Sequence, residues 1–250
     1  MSLLSDPTTN YKAYKNKKLQ IDTYFLSLAQ SDLSGYNTCP MANKFIAKEN
    51  NPKKSNCSHV CVGSRGNAQI FPDIMQARIK KTIRFFEDRQ NFMNELVTEI
   101  AKAIIKSDKK SIKPTFRLNS YSDIRWESIK VDKFGGNTIY ELFPNVEFYD
   151  YTKLENRNTP NGYHTTYSHW GDWDATKRAM ARGQNVAMVF DKREELPKTF
   201  MGRVVVDGDK TDLRTPQNDG KNVIVGLRAK MSKAKIDEML KEKNTFIVKC

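Results

Sequence analysis

Residues 163–190 read "YHTTYSHWGDWDATKRAMARGQNVAMVF", and this stretch decides the fold. It opens on the β-prone run "YHTTYS", passes through a candidate helix, "DWDATKRAMARG", and closes on a second β-prone run, "NVAMVF" at 185. A strand, a helix and a strand in succession form a βα unit, because the helix carries the chain back so that the second strand runs parallel to the first. The same pattern extends outward. "TFRLN" at 115 and "VEFYDYT" at 146 precede it, "RVVVDGD" at 203 and "NVIVGL" at 222 follow, and "SKAKIDEMLKEK" is a further candidate helix. The expected class is α/β with a mostly parallel sheet.

Upstream the periodicity changes. In "DIMQARIKKTIRFFEDRQNFMNELVTEIAKAIIKS" apolar residues fall at Ile74, Ala77, Ile79, Ile83 and Phe86, then at Phe92, Leu96, Ile100, Ala103 and Ile104, close to a 3.6-residue period. This predicts two helices broken near Asp88 to Asn91. Residues 1–36 carry turn formers, scattered aromatics and one amphipathic piece, "LQIDTYFLSLAQ", and read as an N-terminal arm. The expected organisation of residues 1–250 is a single α/β domain: arm 1–36, cysteine loop 37–66, helices 67–107, βα core 115–230, and a C-terminal helix and tail 231–250.

Hydrophobic residues make up 38% of the chain and charged residues 28%, a polar composition that still supports a core. No long apolar run and no signal-peptide start are visible, so the expectation is a cytosolic protein with no membrane partner. The net charge of +13 would attract polyanions, and a basic nucleic-acid-binding protein with a structural zinc site is the competing reading. In that reading Phe85 and Phe86, in "IRFF", would stack bases if exposed. Their helical spacing equally suits a core.

The polar segment "TCPMANKFIAKENNPKKSNCSHVCVGSRG", residues 38–66, concentrates three of the four cysteines, Cys39, Cys57 and Cys61. In a non-secreted chain such thiols point to metal ligation or reactivity rather than to a disulfide framework. A C-x3-C pair with a remote third thiol suits an iron–sulfur cluster, of the [4Fe-4S] kind, with zinc as the alternative. Three unrelated cysteines remain the bland reading. His59, inside the pair, and Cys250, at residue 250, are candidate further ligands.

The ends of the predicted strands supply the rest of the candidate site. Ser122 and Asp123 follow "TFRLN", Lys153 follows "VEFYDYT", and Ser168 closes "YHTTYS". In parallel α/β folds the carboxyl ends of strands share one face, which holds the ligand. These four residues are therefore expected to line one cofactor-binding pocket beside the cysteine loop, Lys153 neutralising a thiolate-bound cluster or clamping a small anionic ligand. Asp207, Asp209 and Asp212 are candidates for a polar floor. Nucleophile-elbow, P-loop, dinucleotide and zinc-protease signatures are absent, so no catalytic residue is assigned.

Taken together, "TCP" with C-x3-C, then "RIKKTIRFFEDRQNFMNELVTEI", "FRLNSYSD", "FYDYTK", "TTYS" and "GLRAK", the chain resembles the phage gene-product-eighty-eight family over about residues 37 to 230. The resemblance implies a phage-encoded protein of unassigned activity with a partial or distorted (β/α) barrel-like body of TIM-barrel likeness and an N-terminal cysteine loop; with an iron–sulfur cluster there, a redox or regulatory role in the host cytoplasm is the expectation. Where the family has Gly-Asp, this chain has Ser122-Asp123, and Tyr151-Thr152-Lys153 matches its Tyr-Thr-Lys. The spacing from Cys39 to Cys57 is longer than the family's, and its cysteine-rich tail is missing. Radical S-adenosylmethionine enzymes share the idea of a cysteine loop over a partial barrel, but their C-x3-C-x2-C spacing is absent, since no cysteine follows Cys61 until Cys250.

Overall fold

The structure is a computed structural model that describes residues 2–9, 11–41, 61, 70–191, 194–241 and 245–250. They fall into two compact units: Met1–Pro40, Cys61–Asp150 and Thr159–His164 in the first, and Met41–Val60, Tyr151–Asn158 and Thr165–Cys250 in the second.

The first unit begins with β1 (Leu4–Ser5), α1 (Tyr11–Asn16) and β2 (Ile21–Leu26). It continues through the long helices α2 (Pro72–Glu87) and α3 (Arg89–Asp108) to β3 (Lys113–Arg117). The small hairpin β4 (Lys130–Val131) and β5 (Asn137–Thr138), the turn of helix α4 (Ile139–Leu142) and β6 (Glu147–Thr152) complete it. β2, β3 and β6 run parallel, and β1 lies antiparallel on β2. Strand β2 occupies the segment read from sequence as an arm. Five of its six residues are buried, so the polar–apolar alternation that marks a half-exposed strand is missing.

Register explains the core. Tyr24 pairs with Phe116 and Phe116 with Phe148, so three aromatic rings stack across the strands with centroids 5.4 Å apart at each step. Against this rung α3 lays Phe92, Leu96, Val97 and Ile100, all within one buried cluster. The predicted break between the helices is at Asp88, whose φ of −132° leaves the helical region and whose carboxylate accepts from the Asn91 amide at 2.8 Å. Pro72 starts α2, where its missing N–H costs nothing. Phe85 is fully packed against Phe92 and Trp126, and Phe86 stacks on Tyr36 at 4.7 Å. Phe85 is a core residue, and Phe86, half-buried, has a face covered by Tyr36, so neither ring stands exposed for base stacking.

The second unit is βα in character. β7 (Tyr163–Ser168), α5 (Trp173–Ala181) and β8 (Val186–Phe190) are the unit read from residues 163–190. There follow β9 (Thr199–Phe200), β10 (Arg203–Asp207), the helical turn α6 (Pro216–Asp219), β11 (Ile224–Arg228), α7 (Lys233–Leu240) and β12 (Ile247–Val248). β7, β8, β11 and β10 pair in parallel, with β9 antiparallel at the edge. β11 covers one side of β8 along its whole length. The other side of β8 is shared, β7 pairing at Val186 and Ala187 and β12 at Val189 and Phe190. Asp172 caps α5 by accepting from the Ala175 N–H at 2.9 Å.

Gly226 sits in mid-strand on β11, where a Cβ would lie 2.8 Å from Val205 Cγ1 and 3.0 Å from Leu196 Cδ1. Gly226→Val is expected to destabilise the protein by about 1–3 kcal/mol through overpacking, read as a lower urea midpoint. Among the described residues no helix is long and apolar enough to cross a membrane.

Candidate functional site

Beyond β3 the chain enters a loop organised by Asn119. The Asn119 backbone N–H donates to Asp150 Oδ1 at 2.7 Å, and its side-chain oxygen accepts from the Ser122 hydroxyl, the Ile124 N–H and the Trp126 indole N–H at 2.8, 2.9 and 3.1 Å. Its amide donates to the Ile124 carbonyl at 3.0 Å. Asp150 is fully buried on β6 and also accepts from the Tyr163 hydroxyl at 2.9 Å. Asn119 is thus the template on which residues 119–126 fold back.

The segment that leads into the cysteine loop is tied to this template. The Thr38 hydroxyl donates to the Ala29 carbonyl at 2.7 Å, and the Thr38 N–H to the Ser31 carbonyl at 2.8 Å, closing a turn in which Ser31 adopts a left-handed φ of 51°. The Asp123 N–H then donates to the Thr38 carbonyl at 2.8 Å, and the half-buried Cys39 thiol donates to the Tyr121 carbonyl at 3.4 Å. The Arg78 guanidinium from α2 lies over the Tyr121 ring, 4.2 Å from its centroid, which puts a fixed positive charge in the Tyr121 loop.

Of the residues singled out from sequence, Cys39, Ser122 and Asp123 are therefore brought together, at the carboxyl end of β3. Ser122 spends its hydroxyl on Asn119, which makes it a support of the loop. Cys61 is half-buried in the first unit. Cys57 and His59 lie outside the described residues, as does most of the predicted cysteine loop. Lys153, one residue past β6, and Ser168, the last residue of β7, are half-buried members of the second unit. Among the described residues no three or more His, Cys, Asp or Glu side chains form a group able to hold a metal ion.

The second unit has its own chemistry at its strand ends. Asp207 and Asp209, considered for a polar floor, are taken up by basic side chains: Arg228 grips Asp207 with two bonds of 2.9 and 3.1 Å, and Lys230 pairs with Asp209 at 3.0 Å. This holds the Asp207 carboxyl below its usual range, chiefly through the Arg228 bond. The Cys250 thiol and N–H both donate to Asp191 Oδ1, at 3.4 and 3.1 Å.

Just past β7, His169 is buried, its ring tilted against Trp173 with centroids 4.2 Å apart. The Thr176 hydroxyl donates to the Asp172 carbonyl at 2.7 Å, so it accepts from His169 Nδ1–H at 2.8 Å and fixes the neutral tautomer. Burial pushes the imidazole down to about 4. An unfolded histidine titrates near 6.5, so between those values the unfolded chain takes up a proton that the fold excludes. Stability from this site is full above about pH 6.5 and lost as pH falls toward 4, by about 3 kcal/mol in total. Urea unfolding of the wild type should weaken over that window, and His169→Gln should flatten the slope.

Comparison with protein families matches the model for gene product 88 to residues 2–244. The chain belongs to this phage family. Curated proteins give no match, and solved structures give none either. The gene product 88 match contains Cys39, Cys57 and Cys61 and stops short of Cys250, which in this structure is occupied with Asp191. It extends beyond the quoted motifs to include β1 and β2.

Sequence reasoning missed Asn119 and Asp150. Asn119 closes the run "TFRLN", and a polar residue at a strand's end was the available signal. Nothing in the local sequence of Asp150 marks it, because its role depends on the β3–β6 register.

Proposed function

We propose that this phage protein is a metal-binding protein of the host cytoplasm, holding an iron–sulfur cluster of the [4Fe-4S] type through Cys39, Cys57 and Cys61, above a partial (β/α) barrel-like body. The observation that carries the reading is the Cys39 thiol, half-buried at the carboxyl end of a parallel strand and fixed to the loop of Ser122 and Asp123. The donor set fits the group: three sulfurs are soft ligands that favour iron–sulfur clusters or zinc. Arg78, beside Tyr121, offsets part of the negative charge that thiolate ligation brings. Cys39, whose thiol donates to the Tyr121 carbonyl, would hold the metal as a thiolate beside that loop.

A cluster so held would supply one-electron chemistry or a redox-sensitive contact, which makes the role redox or regulatory. Lys153, at the end of β6, is the candidate clamp for an anionic partner. Zinc in the same thiolates is the alternative metal, and binding of nucleic acid then rests on the +13 charge alone.

Anaerobic purification followed by iron and acid-labile sulfide analysis tests this. Iron and sulfide in equal, stoichiometric amounts with a brown chromophore are expected, and Cys39→Ser and Cys57→Ser should each lose most of both. A colourless protein with one zinc per chain would retire the cluster and keep the ligands. Metal content unchanged by either substitution would remove the site.

A further inference from the structure

More than half of the formal charge sits in two short segments of the first unit. Residues 11–20, "YKAYKNKKLQ", and 106–113, "KSDKKSIK", together hold eight lysines and one aspartate, +7 of the +13. The fold sets them side by side. Ile21 stands opposite Lys113 in the β2–β3 register, and the Lys113 N–H donates to the Gln20 carbonyl at 3.2 Å.

Both segments are held as fixed turns. The Asn16 side-chain amide donates to Thr23 Oγ1 at 2.8 Å and Ala13 is fully buried, which anchors α1 on β2. Gln20, at a left-handed φ of 56°, closes the turn of Lys17 and Lys18 with its N–H on the Lys17 carbonyl at 3.0 Å. Past α3 the Ser111 N–H on the Asp108 carbonyl at 2.9 Å and the Ile112 N–H on the Ser107 carbonyl at 3.1 Å do the same for Lys109 and Lys110. The backbone that presents these charges is therefore preset, and binding need not order it.

Not all of the lysines are at liberty. Lys106 is matched by Asp6, Lys113 by Glu147 at 2.9 Å and, more loosely, Lys110 by Asp22 at 3.9 Å. Lys17, Lys18 and Lys109 are exposed and form no ion pair with a described residue. Among them stands a ring. Tyr14 is 60% exposed with Lys17 Nζ 5.4 Å from its centroid, and it supplies the open aromatic face that Phe85 and Phe86 do not.

We infer that the amino end of β2 and β3 is a docking surface for single-stranded nucleic acid, its phosphates met by Lys17, Lys18 and Lys109 and one base stacked on Tyr14. Ammonium groups on flexible stems complement a phosphate backbone without reading its sequence, and a lone ring adds stacking only to a base whose face is free. A duplex keeps its base faces covered, so it gains the charge contacts alone. The surface uses none of the cysteine thiols and is independent of the metal they would hold.

Fluorescence anisotropy of the full chain with a labelled oligothymidine of about twenty nucleotides, and with a duplex of the same length, tests the inference. Tyr14→Ala is expected to weaken single-strand binding about tenfold and to leave duplex binding unchanged, while Tyr14→Phe binds as the wild type does. Lys17→Gln combined with Lys18→Gln should lower the slope of log Kd against log salt by about 1.4. Lys221→Gln combined with Lys233→Gln removes the same charge from the second unit and should leave that slope near the wild-type value. All these side chains are exposed except for the anchoring of α1, which none of the substitutions touches, so the variants should fold. No oligothymidine binding at low salt, a Tyr14→Ala variant that binds as the wild type does, or equal effects of the two lysine pairs would each overturn the surface. Binding to phosphatidylserine vesicles without binding to oligothymidine would overturn it in favour of a membrane. Cys57→Ser, whatever its metal content, should bind the oligonucleotide as the wild type does, which keeps this result separate from that of the metal.

Discussion

Asn119→Leu is expected to destabilise the protein by about 3–5 kcal/mol and, on the proposed metal-binding reading, to abolish metal retention together with it. The substitution keeps the branched shape, puts bulkier methyl groups in place of the amide and removes the side-chain oxygen on which Ser122, Ile124 and Trp126 converge. It leaves the Trp126 indole N–H, on a fully buried ring, and the Ile124 N–H without their acceptor. Each orphaned buried donor costs about 1–3 kcal/mol, and the Asn119 amide's bonds to Ile124 and Asp150 are lost as well. Chemical unfolding gives the energy. The functional arm is iron per chain under conditions where the variant is still folded: the Tyr121 carbonyl that positions Cys39 belongs to the loop Asn119 templates, so metal should fall even there. A folded variant with full metal would show that Cys39 is positioned by other means.

Arg214→Met should cost a similar amount, about 3–5 kcal/mol, because it breaks a buried pair by removing one partner. Arg214 is among the largest fully buried side chains, and it donates to Asp219 Oδ1 at 2.9 Å, to the Gly208 carbonyl at 3.3 Å and to the Thr211 carbonyl. Asp219 is itself buried, and burial already raises its carboxyl above the usual range. Without the guanidinium that carboxylate stands uncompensated and will take up a proton. Urea unfolding should show a loss that shrinks as the pH is lowered, since protonation neutralises the raised Asp219 carboxyl in the variant. Adding Asp219→Leu to Arg214→Met should recover much of the loss. A double variant no better than the single would mean that the loop carbonyls, rather than the charge, account for the cost.

The parts of the fold legible in the sequence were those whose pattern is local. The helix break at Asp88 follows from a shift in the apolar stripe, and β3, β6, β7, β8, β10 and β11 coincide with the β-prone runs. β2 was hidden because burial of both faces erases alternation, and β9 and β12, of two residues each, are too short to carry a period. The candidate site divides in the same way. That Ser122 and Asp123 would meet the Cys39 segment followed from strand ends sharing a face. The importance of Asn119 and Asp150 did not, since it arises from pairing between β2, β3 and β6, which no window of sequence contains.

The divided edge of β8 bears on how the second unit is made. β7 satisfies the first half of that edge soon after β8 is synthesised, but Val189 and Phe190 must wait for Ile247 and Val248, and the Asp191 N–H for the Val248 carbonyl. Until β12 arrives, a growing chain on the ribosome displays a short, apolar, unpaired ladder in the middle of an otherwise finished sheet. Such a gap is a template for any neighbouring nascent strand. Polypeptides released before Ile247 would keep it permanently open, so incomplete products should accumulate as insoluble material while full-length chains, synthesised at the same rate, remain dispersed.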